Sequence, residues 1–131
     1  MVATMIASLA ATASVTTAIA EADRTAILDT ARVPVAKQLG KPVKFKVHGL
    51  KRDGDWVFLS AAMQDAAGKP ISYVGTPLAS AEAEGMVSKD YFALLRRDGQ
   101  RWRVVDYAVG PTDVAWEGWA EKHGAPATLF S

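Results

Sequence analysis

Asp106 is the residue least at home in its sequence surroundings. It stands between Val105 and Tyr107 in an apolar stretch, where a strand disfavours a carboxylate. Facing a cavity, it would lose solvation, favour its protonated form and become a candidate general base or ligand anchor, with Tyr107 beside it. The alternatives are an ion pair with a neighbouring Arg or Lys and plain exposure to water. A second set of candidates is cationic. Seven basic residues and no acidic one run from Arg32 to Arg52, Lys44 and Lys46 among them, and Arg96, Arg97, Arg101 and Arg103 form a second cluster. If the first and last strands adjoin, the two clusters make one basic face for an acidic partner, phospholipid headgroups or anionic glycans. Otherwise the lysines are a solvated strand edge kept from aggregating. The third candidates are Trp116 and Trp119. They either anchor a C-terminal helix to the body or form an exposed recognition surface.

Other chemistries have little to work with. His48 and His123 are the only histidines, on separate parts of the chain. No paired His-x-x-x-His, Glu-x-x-His or Asp-rich calcium loop occurs, so no metal is expected. The chain has no Cys, which removes disulfides, thiolate nucleophiles and Cys-ligated metals. Gly-x-Ser-x-Gly, Ser-x-x-Lys and phosphate-cradling glycine loops are also missing, and no cofactor is expected. With 15 Lys+Arg against 14 Asp+Glu the formal net charge is +1, too small a field to draw the chain to nucleic acid. The expected partner is an unknown protein or a small molecule.

Residues 1–20 carry no charge and end Ala18-Ile19-Ala20. Small residues at positions 18 and 20 suit a signal peptidase, so a signal peptide cleaved after Ala20 is expected, and with it a periplasmic or secreted protein. The segment lacks the usual basic start. Its apolar part is too short and too rich in Thr and Ser for a stable membrane span. Residues 21–131 then form one domain, large enough to hold a core without staples.

The elements that must position the candidates follow from periodicity. Leu28, Ala31, Val35 and Leu39 share one stripe of a helix over 23–39, with Asp23 as N-cap and Gly40 beyond its end. Pro34 lies inside that helix and predicts a kink. Val43, Phe45 and Val47 alternate with Lys44, Lys46 and His48, a strand with one wet face. Residues 56–63, 90–97 and 101–109 read as further strands, and 71–74 as a short extra one. Asp53-Gly54 and Asp98-Gly99 mark hairpin turns, the second of type I′. Residues 76–88 form a long connection with one helical turn. A helix from Thr112 or Asp113 to about Lys122 would carry both tryptophans, and Leu129 and Phe130 could tuck back onto the body.

Strands joined by tight turns pair antiparallel, so the class is α+β: four or five antiparallel strands in a curved sheet, with an N-terminal helix and a short C-terminal one. Strands 56–63, 90–97 and 101–109 are apolar on both faces, which requires cover on both sides. A helix on each face or the tail on the second would suffice; an apolar cavity or a homodimer across the second face are the alternatives. This element order resembles that of cystatin-like and nuclear-transport-factor-like folds. The segments Gly110-Pro111-Thr112-Asp113-Val114-Ala115-Trp116-Glu117-Gly118-Trp119, Gly124-Ala125-Pro126, Ala31-Arg32-Val33-Pro34-Val35 and Gly54-Asp55-Trp56 resemble a family of small exported proteins of Gram-negative bacteria. That resemblance implies a location and no activity. The resulting expectation is an exported, non-catalytic binding module. The alternative is a small-molecule binder or cofactor-free enzyme with a cavity between helix and sheet, lined by Asp106 and Tyr107.

Overall fold

The computed structural model describes residues 19–131; the expected leader lies outside them except for Ile19 and Ala20. The chain forms α1 (Glu21–Leu39), β1 (Lys44–Asp53), β2 (Trp56–Gln64), α2 (Ala79–Ala83), β3 (Asp90–Asp98), β4 (Arg101–Val109), α3 (Trp119–His123) and a closing 3-10 turn (Ala127–Phe130). The architecture is α+β. The four strands make one antiparallel meander in the order β1-β2-β3-β4. The fold class expected from the sequence is therefore the one observed, with four strands and not five.

Local chemistry explains these boundaries. Both hairpins close over two residues, Gly54-Asp55 and Gly99-Gln100. Positive φ occurs at Gly54 (62°) and Gly99 (64°), and at no non-glycine among the described residues. That pattern is type II′, with glycine in the first central position, and not the type I′ expected, which needs positive φ at both. Segment 71–74 is not a strand beyond an isolated bridge at Gln64 and Pro70. Ile71 N–H donates to the Met63 carbonyl, and side chains meet much of the rest: Lys41 Nζ donates to the Ser72 and Val74 carbonyls at 3.0 and 3.2 Å, and Tyr73 N–H donates to Glu82 Oε1 at 3.2 Å. Lys89 Nζ in turn donates to Glu82 and to the Ile71 carbonyl. The hydrogen bond from Lys89 holds the Glu82 carboxyl below the usual range. α1 begins at Glu21, with Ala20 at the N-cap position and no side-chain cap. Asp23 is therefore not the cap; it accepts from Arg52 Nη1 at 3.1 Å. The helix runs through Pro34 and ends at Gly40 in the left-handed region.

Each sheet face has its own core. On one face lie Val57, Leu59, Ala61 and Met63 of β2, Tyr91, Ala93 and Leu95 of β3, and Trp102 of β4, packed under Ile27, Ala31, Val35 and Leu39 of α1. The Tyr91 hydroxyl donates to the Ala31 carbonyl at 2.8 Å and sews the helix to β3. On the other face Phe58 and Leu94 pack under Trp119, Ala125 and Leu129, with Trp56, Phe92, Trp116 and Phe130 around them. This is the C-terminal segment folded back over the sheet. Its helix is shorter than expected, because Gly118 at φ 87° breaks it before Trp119; a helical residue needs negative φ.

The two edge strands carry irregularities that the central strands lack: β1 between Val47 and Gly49, β4 between Leu94's partner Asp106 and Leu95's partner Val104. An extra residue on an edge strand bends it and discourages pairing with another chain.

A groove between the first helix and the last strand

α1 does not lie over the middle of the sheet alone; it borders β4, and the two enclose an open groove of about 930 Å³. The helix wall is Thr30, Val33, Pro34, Lys37 and Gln38. These recur at steps of three and one, so they share a helical face adjacent to the core stripe. The strand wall is residues 102–107. Its floor is apolar: Trp102 is 7% exposed, and Val104 packs on the helix-side core. Val33 and Tyr107 are large hydrophobic residues left 65% and 38% exposed, one on each wall. The Tyr107 ring leans on Tyr91, centroids 6.2 Å apart.

Pro34 matters for what the groove offers. It has no N–H, so the Thr30 carbonyl lacks the donor that a helix would supply from position 34. The Thr30 hydroxyl is occupied, donating to the Ala26 carbonyl at 2.7 Å. Pro34 thus leaves one backbone acceptor of the helix, among the residues that line the groove, without its ladder donor.

Three of the sequence-derived candidates meet at this groove: Arg103, Asp106 and Tyr107. Two of them have their charges compensated. Arg103 Nε donates to Asp98 Oδ2 at 2.5 Å, which keeps the Asp98 carboxyl below its ordinary range. Asp106 is bound three ways: Oδ2 lies 2.7 Å from His123 Nε2 and 3.6 Å from Lys122 Nζ, and Oδ1 accepts the Tyr107 N–H at 2.9 Å. The carboxylate therefore ties α3 to β4 and covers a backbone donor on the strand edge. Its partners come from the C-terminal helix and not from a cross-strand Arg or Lys.

The remaining candidates are elsewhere. Trp119 is 6% exposed and meets Phe58 edge-on at 6.2 Å; Trp116 stacks near Phe92 at 4.2 Å and near Phe58 at 5.9 Å. Both anchor the second face as core, the first of their two readings. Lys44 and Lys46 are exposed on β1, the edge opposite β4. The single basic face that would have needed adjoining first and last strands does not form, because three antiparallel steps keep spatial order equal to chain order. Two arginines of the second cluster lie over aromatic rings, Arg97 on Trp102 at 5.4 Å and Arg96 on Trp56 at 5.1 Å, and Arg52 of the first cluster also meets Trp102, at 5.2 Å. His48 is exposed at the β1 irregularity.

Sequence reasoning missed the helix wall. Its signal was present: Val33 and Pro34 fall off the buried stripe of Ile27, Ala31, Val35 and Leu39, so an apolar residue and a helix breaker sit side by side with nothing to bury them. Among the described residues no three His, Asp or Glu side chains are grouped to hold a metal ion, and no helix is long and apolar enough to cross a membrane. No protein-family model matches the chain, and neither a curated protein nor a solved structure matches it.

Proposed function

We propose that the protein acts by binding, with the groove between α1 and β4 as its site. The observation that carries this reading is the convergence on one groove of features that folding alone does not ask for: a proline inside a helix, an exposed valine beside it, and a freed carbonyl. The volume falls in the range of small-molecule sites, and an apolar floor bordered by polar residues is compatible with one. This favours the small-molecule alternative over an interaction surface on the second sheet face, which the C-terminal segment fills. Chemistry is not part of the proposal. The acid–imidazole pair Asp106–His123 holds two elements together, and no hydroxyl is hydrogen-bonded to His123 among the described residues.

The binding is proposed to take place outside the cytoplasm, after removal of residues 1–20. The Ala18-Ile19-Ala20 pattern and the likeness to small exported proteins of Gram-negative bacteria motivate this, and N-terminal sequencing of the natural protein tests it; an intact Met1 would overturn it. A helix across an antiparallel meander also keeps the proposed likeness in element order to cystatin-like and nuclear-transport-factor-like folds.

The site is tested with an apolar fluorescent probe. Wild type is expected to bind one equivalent, and Val33→Glu, at a position already exposed, to abolish binding with an unchanged circular dichroism spectrum. Equal binding by both would overturn the assignment.

A further inference from the structure

We infer that the ligand of this groove is an amphipathic carboxylic acid of medium chain length carrying a hydrogen-bond donor at its far end. The inference rests on the groove being the binding site and goes on to name the chemistry that fits it.

Charge decides the head group. Three charged residues border the groove, besides Tyr107: Lys37, Arg103 and Asp106. Arg103 is paired with Asp98, and Asp106 with Lys122, with His123 hydrogen-bonded to the same carboxylate. Lys37 has no ion-pair partner among the described residues. The groove therefore offers one uncompensated cation, and an anion is the complement. A single ammonium suits a monocarboxylate; the fork geometry that favours a phosphate or a bidentate anion belongs to arginine, and the arginine here is already engaged.

The body must be apolar. Between the two polar ends the ligand would lie on Val33, Pro34, Val104 and the Tyr107 ring, and covering the exposed Val33 and Tyr107 removes apolar surface from water.

The far end follows from Pro34. The freed Thr30 carbonyl is an acceptor and cannot donate, so it selects a hydroxyl or amide N–H. Residues 30 and 37 are seven apart on one helix, which sets the two polar ends about 10 Å apart along the axis. A chain carrying a terminal hydroxyl spans that distance; a short acid or a bulky fused-ring acid does not match it.

The test is calorimetric titration below micelle-forming concentrations with 10-hydroxydecanoate, decanoate, decanol and decyltrimethylammonium. Wild type is expected to prefer them in that order. Lys37→Gln should weaken both carboxylates about tenfold and leave decanol unchanged, with Lys37→Arg restoring most of the loss. Pro34→Ala, which returns an N–H to the Thr30 carbonyl, should erase the preference for the hydroxy acid over decanoate. If all four ligands bind equally and Val33→Glu abolishes them, the groove stands as a site and the carboxylate assignment falls. If the ammonium binds best, or Lys37→Gln changes nothing, the assignment also falls. If no ligand binds, or Val33→Glu is silent, both this inference and the site reading fall.

Discussion

The two faces of the sheet are closed by different means, and the difference separates structure from function. The face under the C-terminal segment is closed by aromatic packing. Phe58 sits at its centre, within 4.7 to 6.3 Å of Phe130, Trp116, Trp119 and Phe92. Bulky rings from β2, β3 and the C-terminal segment pack together on this side. The face under α1 is closed by a helix through Ile27, Ala31, Val35 and Leu39. The helix lies nearest β4 and β3, and between its outer face and β4 it leaves an open groove. Rings from strands and tail close one face; a helix covers the other and leaves a groove beside β4.

If this contrast is correct, each face should fail differently. The largest effect is expected at alkaline pH, and on the helix face. Both buried tyrosines, Tyr73 and Tyr91, belong to that core, whereas the aromatic face holds only Phe and Trp. Burial, with Glu82 and Asp90 near by, pushes the Tyr73 phenol up to about 12, and burial raises Tyr91 further. A folded-state value above the unfolded one means that stability is fully present below the unfolded value of 10.0 and is lost as pH rises through about 12. Base titration monitored by tyrosinate absorbance should show ionisation coupled to unfolding in that window. Ionisation of all three tyrosines with the fold intact would break the contrast.

Phe58→Ala comes next. Removing the central ring should cost about 3–5 kcal/mol in denaturant unfolding, with no change in groove binding beyond that loss. Pro34→Ala should act in the opposite direction and stabilise α1 by about 2 kcal/mol, since proline inside a helix is poor and its stiffening of the unfolded chain offsets only part of that. A destabilised Pro34→Ala would mean that the proline is there for packing. Asp106→Asn should cost about 1–2 kcal/mol and increase amide exchange in α3, because the carboxylate joins that helix to β4. The smallest stability change, within about 0.5 kcal/mol, is expected for Val33→Glu and Lys37→Gln on the exposed groove wall.

Much of the fold was legible because its signals are local. Alternation in Val43–Phe45–Val47 and the Asp-Gly pairs marked the strands and hairpins, and strands apolar on both sides required cover on both faces, which α1 and the tail supply. The errors arose where a local signal had a non-local answer. Ile71 and Tyr73 are buried as in a strand, yet the Tyr73 N–H is met by Glu82, and the Ser72 and Val74 carbonyls by Lys41, from elsewhere in the chain. The C-terminal helix was drawn too long because a glycine inside a helical pattern does not declare its φ. The basic face was misassembled because strand adjacency is a property of topology. Of the candidate site, Asp106 was legible as an acid out of place in a strand, Tyr107 as its neighbour and Arg103 as part of the second basic cluster. Its other wall was not, since a groove depends on where the helix lies against a sheet edge, and no periodicity encodes that offset.

The most direct test of the contrast between an open and a sealed face is an amide NMR titration with 10-hydroxydecanoate. Shift changes confined to Thr30–Gln38 of α1 and to residues 102–107 of β4, with Phe58, Trp116 and Trp119 undisturbed, are the expected result. Changes centred on the aromatic face, or none on either face at saturating ligand, would contradict it.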